Sequence, residues 1–214
     1  SYCLTEPGAG SDAAAITTAA RRDGDHYVLS GTKQFISGAG SSAVYLVMAR
    51  TGEPGPRGIS AILVPADTEG LSFGPNERKM GWNAQPTRQV IFEDVRVPVT
   101  NRLGEEGDGF GIAMKGLNGG RVNMGACSLG GAQWALERAL AYVQEREAFG
   151  APLAANQSIV FTLADMETDL QAARSLLQRA AEKMDTKAAD VASACAIAKR
   201  FATDAGFRVD NEAL

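Results

Sequence analysis

The chain has one histidine, His26, and three cysteines, Cys3, Cys127 and Cys195, in 214 residues. A single histidine leaves a Ser–His or Cys–His nucleophilic arrangement little to draw on and excludes a histidine-rich metal site. The cysteines lie far apart and match no zinc or disulfide spacing, so they are expected to be small, buried, reduced thiols. No metal site is expected. No apolar run reaches the roughly eighteen residues that a spanning helix needs, so no membrane span is expected. Basic residues do not dominate either. The formal net charge is -4, which argues against a nucleic-acid footprint. The chain opens on Ser1 with no initiator methionine or signal peptide and closes on Leu214 inside a helical pattern, and is expected to be an excerpt of a longer polypeptide. Reduced thiols suit a cytoplasmic protein or, in a eukaryote, one of the mitochondrial matrix.

What is present divides by period. Tyr27 to Leu29, Ala43 to Arg50, Ile59 to Val64 and Arg88 to Phe92 are rich in valine, isoleucine and aromatics and read as short strands. Ser30-Gly31, Gly38 to Gly40, Gly52 to Pro56 and Glu69-Gly70 break them. Strands of this kind suggest an antiparallel sandwich or barrel, left after Pro98 through the segment Asn101 to Gly109. The pattern alone makes Phe35 a core strand residue, Met80 and Trp82 packing residues, His26 structural or solvated, and Glu105 and Glu106 solvated. Beyond that exit the period becomes helical. Leu129, Ala132, Leu136, Ala139, Leu140 and Val143 form one stripe, residues from Val160 to Met184 a second, and Val191 to Val209 a third. Short loops at Phe149 to Ala155 and Asp185 to Ala188 predict antiparallel neighbours. Phe110 to Arg121 is helical in pattern, but Gly116, Gly119 and Gly120 weaken it, marking either close backbone approach by a ligand or a bend. The fold class expected is α+β: an antiparallel β-barrel or sandwich (residues 1–102), then an antiparallel α-helical bundle (residues 103–214).

The segment Tyr2 to Asp12, YCLTEPGAGSD, combines glycines that let backbone amides approach a ligand with short hydroxyls able to donate to it. No Gly-Lys-Ser/Thr follows, so it is not a phosphate loop of the Walker type. It does not open a helix after a long strand, so it is not a dinucleotide fingerprint either. Its wording, Leu4-Thr5-Glu6-x-x-x-Gly10-Ser11-Asp12, resembles the first signature of the acyl-CoA dehydrogenases. Lys33-Gln34-Phe35-Ile36-Ser37, Met80-Gly81-Trp82, Phe92 to Pro98, Asn118-Gly119-Gly120-Arg121 and Arg146 to Gly150 follow in that family's order, so the resemblance covers essentially the whole chain.

The resemblance implies an FAD-binding chain composed of that family's middle β domain (1–102) and an incomplete C-terminal helical domain (103–214), with a helical domain expected before Tyr2. Tyr2, Cys3, Leu4, Thr5, Glu6, Pro7, Gly8, Ala9, Gly10 and Ser11 would line the flavin edge through backbone amides and the Thr5 hydroxyl. Ser11 would also reach the acyl-CoA. Phe35, Ile36 and Ser37 would lie beside the isoalloxazine; many relatives carry tryptophan where Phe35 stands. Arg146, Phe149, Asn156 and Gln157 would hold the adenosine diphosphate part of a neighbouring subunit's FAD, which implies a homo-oligomer, usually a tetramer built as a dimer of dimers. Asn118, Gly119, Gly120 and Arg121 would contact the acyl-CoA substrate.

The implied reaction is α,β-dehydrogenation of an acyl-CoA thioester, with electrons passed on to an electron-transfer flavoprotein. GWNAQPTR (Gly81 to Arg88) and GLNGGR (Gly116 to Arg121) point within the family to short branched acyl chains, isobutyryl-CoA first. No catalytic base is identified. Most members place a glutamate beyond the last helix, past Leu214; a minority place it immediately before the arginine matched by Arg121, where this chain has Gly120. An acyl-CoA oxidase or flavin monooxygenase of the same fold, or a non-catalytic flavin-binding relative, remain alternatives.

Overall fold

A computed structural model describes all residues from Ser1 to Leu214. In chain order the strands are β1 (Tyr2–Cys3), β2 (Ala19–Asp23), β3 (His26–Ser37), β4 (Val44–Arg50), β5 (Ile59–Pro65), β6 (Leu71–Phe73), β7 (Thr87–Pro98) and β8 (Arg102–Leu103). Helix α1 (Gly109–Glu145) follows, then a small hairpin of β9 (Glu147–Ala148) and β10 (Ala151–Pro152), then helices α2 (Gln157–Asp185) and α3 (Val191–Glu212). The α+β class expected from the two periods is what forms. The chain divides into two compact units, Ser1–Lys115 and Gly116–Leu214, and the division falls within α1.

In the first unit, eight strands make one sheet in the order β6-β7-β3-β2-β4-β5-β8, with β1 added on β4. It is open, since the end strands β6 and β8 do not pair, so the barrel form of the expectation is not realised. Most neighbours are antiparallel, but β1 and β2 each pair with β4 in parallel. Alternation decides which side chains go inward. Tyr27 stands opposite Val97 and Leu29 opposite Val95 across β3 and β7, while Tyr45 faces Val64 and Val47 faces Ile62 across β4 and β5. All eight belong to one buried cluster. Each such side chain contributes about 1.5–3 kcal/mol on leaving water, which is why the short, β-branched runs of the sequence suffice to define the sheet.

In the second unit, Leu129, Ala132 and Leu136 of α1 pack with Met166, Leu170, Ala173 and Leu177 of α2 and Cys195, Ala198, Ala202 and Val209 of α3. The partners run in opposite directions along the helices. Gly119 lies against Met184 and Gly125 against Leu177; Lys183 pairs with Asp190 while Asp169 pairs with Arg208 at the far end. The bundle is therefore antiparallel, as the short loops predict. A Cβ at Gly125 would stand 2.6 Å from the Leu177 Cδ2, so glycine there serves close packing. Gly116 and Gly120 face open space, and the α1 helix runs through all of them without a break. No helix is long and apolar enough to cross a membrane.

Two of the three cysteines are buried, as expected, but Cys127 is exposed, because it falls on the face of α1 opposite its apolar stripe.

Candidate functional site

In the first unit, β1 lies parallel to β4 with Tyr2 opposite Leu46 and Cys3 opposite Val47. That pairing sinks Cys3 into the core and sends the following residues across β3. The Ser1 Oγ donates to the Ser37 carbonyl at 2.7 Å, the Gln34 N–H to the Thr5 carbonyl at 2.8 Å, and the Lys33 Nζ to the Leu4 carbonyl at 3.0 Å. The turn is closed by reciprocal backbone hydrogen bonds between Glu6 and Ala9, at 3.0 and 3.1 Å. Thr5, Phe35 and Ser37 are thereby brought together on one part of the surface.

Beneath the turn lies an ion pair. The Glu6 carboxylate accepts from Lys33 Nζ at 2.8 Å, from the Thr17 N–H at 2.7 Å and hydroxyl at 2.9 Å, and from the Thr18 N–H at 2.9 Å. The side chains are 4% and 0% exposed for Glu6 and Lys33. Burial by itself would raise the Glu6 carboxyl, but the Lys33 ammonium and the Thr17 and Thr18 donors outweigh it and bring the group down to about 2. The carboxylate is thus ionised and fully engaged, which unfits it for proton transfer. Burial pushes the Cys3 thiol up to about 12, with Lys33 only partly opposing it, so Cys3 is no nucleophile near neutrality.

Of the ten turn residues expected at a cofactor edge, Cys3, Leu4, Glu6 and Ala9 are buried, Tyr2 and Thr5 are half-buried, and Pro7, Gly8, Gly10 and Ser11 are exposed. The buried four could address a ligand only through their backbone. Tyr2 turns its hydroxyl toward the Ala113 carbonyl on the first turns of α1, at 3.3 Å.

Phe35 departs from the core role that the strand pattern alone assigns it. The pairing of β3 with β7 slips between Lys33 and Ile36. Within that bulge Phe35 adopts φ 58° and is 62% exposed. Lys33 and Ile36 point into the core while Ser37 is exposed. A left-handed phenylalanine costs about 1–3 kcal/mol and persists only where its surroundings over-determine it, a pattern concentrated at ligand clamps.

In the second unit, the turn from α1 to α2 collects Arg146, Phe149, Asn156 and Gln157. The Arg146 carbonyl accepts from Leu153 N–H at 2.8 Å, closing the β9-β10 hairpin at its base. Phe149 sits at the hairpin tip, fully exposed and at φ 55°. Arg146 is exposed and joins none of the eight ion pairs of the chain. Asn156 caps α2, its side-chain oxygen accepting from the Ser158 N–H at 3.0 Å. Nearer the start of α1, the Arg121 guanidinium donates to the Asn118 side-chain oxygen at 2.7 Å. The twenty-four residue steps from Arg121 to Glu145 correspond to about 36 Å of helix rise, so these two groups of candidates stand far apart along α1.

Two further expectations from the sequence are overturned. Met80 is fully exposed and Trp82 is 60% exposed at φ 57°, so neither packs in the sheet. The Lys79 Nζ holds the loop from within, donating to the carbonyls of Trp82 and Gln85, and this turns the apolar side chains out. Glu106 is not simply solvated: it accepts from the buried Tyr27 hydroxyl at 2.5 Å and lies 3.6 Å from Arg102. Glu105 pairs with the same arginine at 2.8 Å. His26 sits half-buried with Asp25 at 2.6 Å, a local pair at a strand end.

Sequence reasoning gave Lys33 no role, although it stands at an inward position of a strand beside an acidic turn. The same holds for Gln34, which is bracketed by Glu77 at 2.8 Å and Gln89 at 2.6 Å. An inward-facing lysine in an otherwise apolar alternation is the signal that could have found them.

Comparison with known proteins bears on the whole chain. Residues 1–95 match the family model described as acyl-CoA dehydrogenase, middle domain, and residues 107–214 match acyl-CoA dehydrogenase, C-terminal domain. The mitochondrial isobutyryl-CoA dehydrogenase of Dictyostelium discoideum is 56% identical over 215 residues, taking in 100% of this chain and 52% of that protein. The structure of butyryl-CoA dehydrogenase from Megasphaera elsdenii superposes with a TM-score of 0.95 at 43% identity, covering 99% of this chain and 56% of that one. A chain in a structure described as the electron transferring flavoprotein of Acidaminococcus fermentans gives 0.94 at 42% identity, with 99% and 56% covered. The chain therefore spans about half the length of the relatives it matches.

Proposed function

The chain belongs to the acyl-CoA dehydrogenase family, and on that premise we propose that it forms part of an FAD-dependent dehydrogenase of short branched-chain acyl-CoA thioesters, isobutyryl-CoA first. The observation that carries the cofactor reading is the pair of exposed, left-handed aromatics, Phe35 and Phe149. Phe35 falls at a position expected to meet the flavin ring, and Phe149 at one expected to meet the adenosine diphosphate of a neighbouring subunit's FAD. Their strained, outward setting fits residues shaped for a ligand, and the unpaired Arg146 offers a planar fork suited to pyrophosphate.

When bound, FAD supplies the acceptor for the hydride that leaves the β carbon of the substrate. The residues of this chain prepare that transfer. The Thr5 hydroxyl and the turn amides outside the reciprocal Glu6–Ala9 pair would donate toward the ring edge where negative charge accumulates, and preorganised donors of this kind need no rearrangement during reaction. Phe35 would pack against the ring face, and Ser37 would add a hydroxyl. Ser11 in the first unit and the Asn118–Arg121 segment in the second would each contact acyl-CoA, with the Arg121 fork already fixed by Asn118. Residues 1–102 would thus supply the flavin edge and acyl-CoA contacts, and residues 103–214 further acyl-CoA contacts and the pyrophosphate contacts.

Removal of the α proton requires a carboxylate, which neither Glu6, locked in its ion pair, nor Gly120, without a side chain, can supply. The length of α1 between Arg121 and Arg146 supports the reading in which Arg146, Phe149, Asn156 and Gln157 serve the flavin of a neighbouring subunit in a homotetramer. Electrons would pass to an electron-transfer flavoprotein. The mitochondrial and bacterial relatives fit a matrix or cytoplasmic setting. Steady-state assays on the full-length protein test the substrate: kcat/KM for isobutyryl-CoA should exceed that for octanoyl-CoA, and a clear preference for octanoyl-CoA would defeat the assignment.

A further inference from the structure

We propose that Glu6 and Lys33 are a positioning pair, whose buried contact clamps the Thr5 turn to the Phe35 bulge so that hydroxyl and ring meet the cofactor as one rigid face. The inference rests on the flavin-edge reading given above.

Consecutive residues of β3 grip consecutive residues of the turn. Lys33 holds the Leu4 carbonyl and the Glu6 carboxylate, at 3.0 and 2.8 Å, and Gln34 holds the Thr5 carbonyl at 2.8 Å. The next residue is Phe35, left-handed, where the ladder to β7 slips. The Gln34 side chain is tied down on its own account, donating to Glu77 and accepting from Gln89. Both residues before Phe35 are therefore committed, and the bulge has no slack with which to relax.

Stability alone does not call for such a pair. Well-packed apolar residues of similar volume commonly serve a core as well as a buried ion pair or better. What they cannot do is reach the Leu4 carbonyl and the Glu6 carboxylate at once, and so set the turn to within a hydrogen-bond length of the bulge. The Glu6 carboxylate extends the clamp to Thr17 and Thr18, so three segments (the turn, the Thr17-Thr18 stretch and β3) converge on one buried point. Because the pair is formally neutral and faces inward, its influence on the cofactor is through position.

The test uses the full-length, FAD-loaded protein. Lys33→Met and Glu6→Gln are compared with Ile62→Ala, a cavity in the same core far in sequence from the turn. With either clamp variant, the visible flavin band should change shape, FAD affinity should fall, and kcat should drop by about 10- to 100-fold, the scale of an ångström-sized misplacement, while the acyl-CoA KM stays near its original value. Ile62→Ala should lower the melting temperature and leave the spectrum alone. The proposal is overturned if the clamp variants lose stability but keep the original spectrum, FAD affinity and kcat. Should Lys33→Met not fold, Glu6→Gln, which keeps volume and an acceptor for Thr17, decides the matter. Thr5→Ala and Phe35→Ala separate the two levels. If these also leave FAD affinity and spectrum unchanged, the flavin-edge reading itself fails; if they alter both while the clamp variants do not, only the positioning role fails.

Discussion

Acid should weaken the sheet unit through Glu6 in particular. Its carboxyl is held at about 2 against an ordinary value of 4.5. A carboxyl depressed in the folded state adds stability that is complete above the unfolded value and vanishes as pH falls toward the folded one. The window is therefore from about pH 5 down to about pH 2, and the full effect is about 3 kcal/mol at roughly 1.4 kcal/mol per pH unit. Urea unfolding is followed by hydrogen exchange at the paired β3 and β7 amides, which lie in the sheet unit. Midpoints should fall between pH 5 and pH 3, and Glu6→Gln should be less stable at pH 7 but lose less on acidification. Other carboxylates titrate in the same range, so the comparison with Glu6→Gln isolates this group. Equal acid losses in the two proteins would refute the reasoning, since Glu6 would then bind its proton alike folded and unfolded.

Other perturbations follow from the same contacts. Gly31→Ala should destabilise the sheet unit by about 3 kcal/mol in urea, from a left-handed backbone and an intruding Cβ; at φ 147° that atom would lie 2.8 Å from the Thr18 Cα, on the segment that also donates to Glu6. Leu170→Ala, emptying a fully buried site among the three helices, should cost about 2–5 kcal/mol, seen in circular dichroism melts. Phe149→Gly relieves a left-handed position that has no packing to lose; the apoprotein should be unchanged or up to about 2 kcal/mol more stable by the same melts, while calorimetry should record weaker FAD binding.

Much of this architecture is legible in the residues. Composition and period locate nearly every element: a short, near-continuous apolar run such as Val44–Arg50 reads as a buried strand, and the three-four stripe in α2 leaves one inward face. The open sheet and the parallel β1 pairing were not legible, since only two residues of β1 pair and their partner lies some forty positions along the chain. Trp82 was misjudged for a different reason. Its hydrophobicity says core, but the Lys79 hydrogen bonds that turn its loop outward join residues with no periodic relation. Phe35 shows both sides: strand pattern puts it inward, and only the motif wording anticipates its outward ring. The motif wording placed the turn, too, but not what holds it. The Glu6–Lys33 contact joins positions 27 apart in sequence, and neither residue type suggests burial on its own.

Anaerobic titration of the full-length, FAD-loaded protein with isobutyryl-CoA is the most direct measurement of the central claim. The visible flavin band should bleach as the substrate is converted to its α,β-unsaturated thioester, and Thr5→Ala and Phe35→Ala should slow this. A protein that retains no FAD, or whose flavin is bleached by no short branched acyl-CoA, would contradict it.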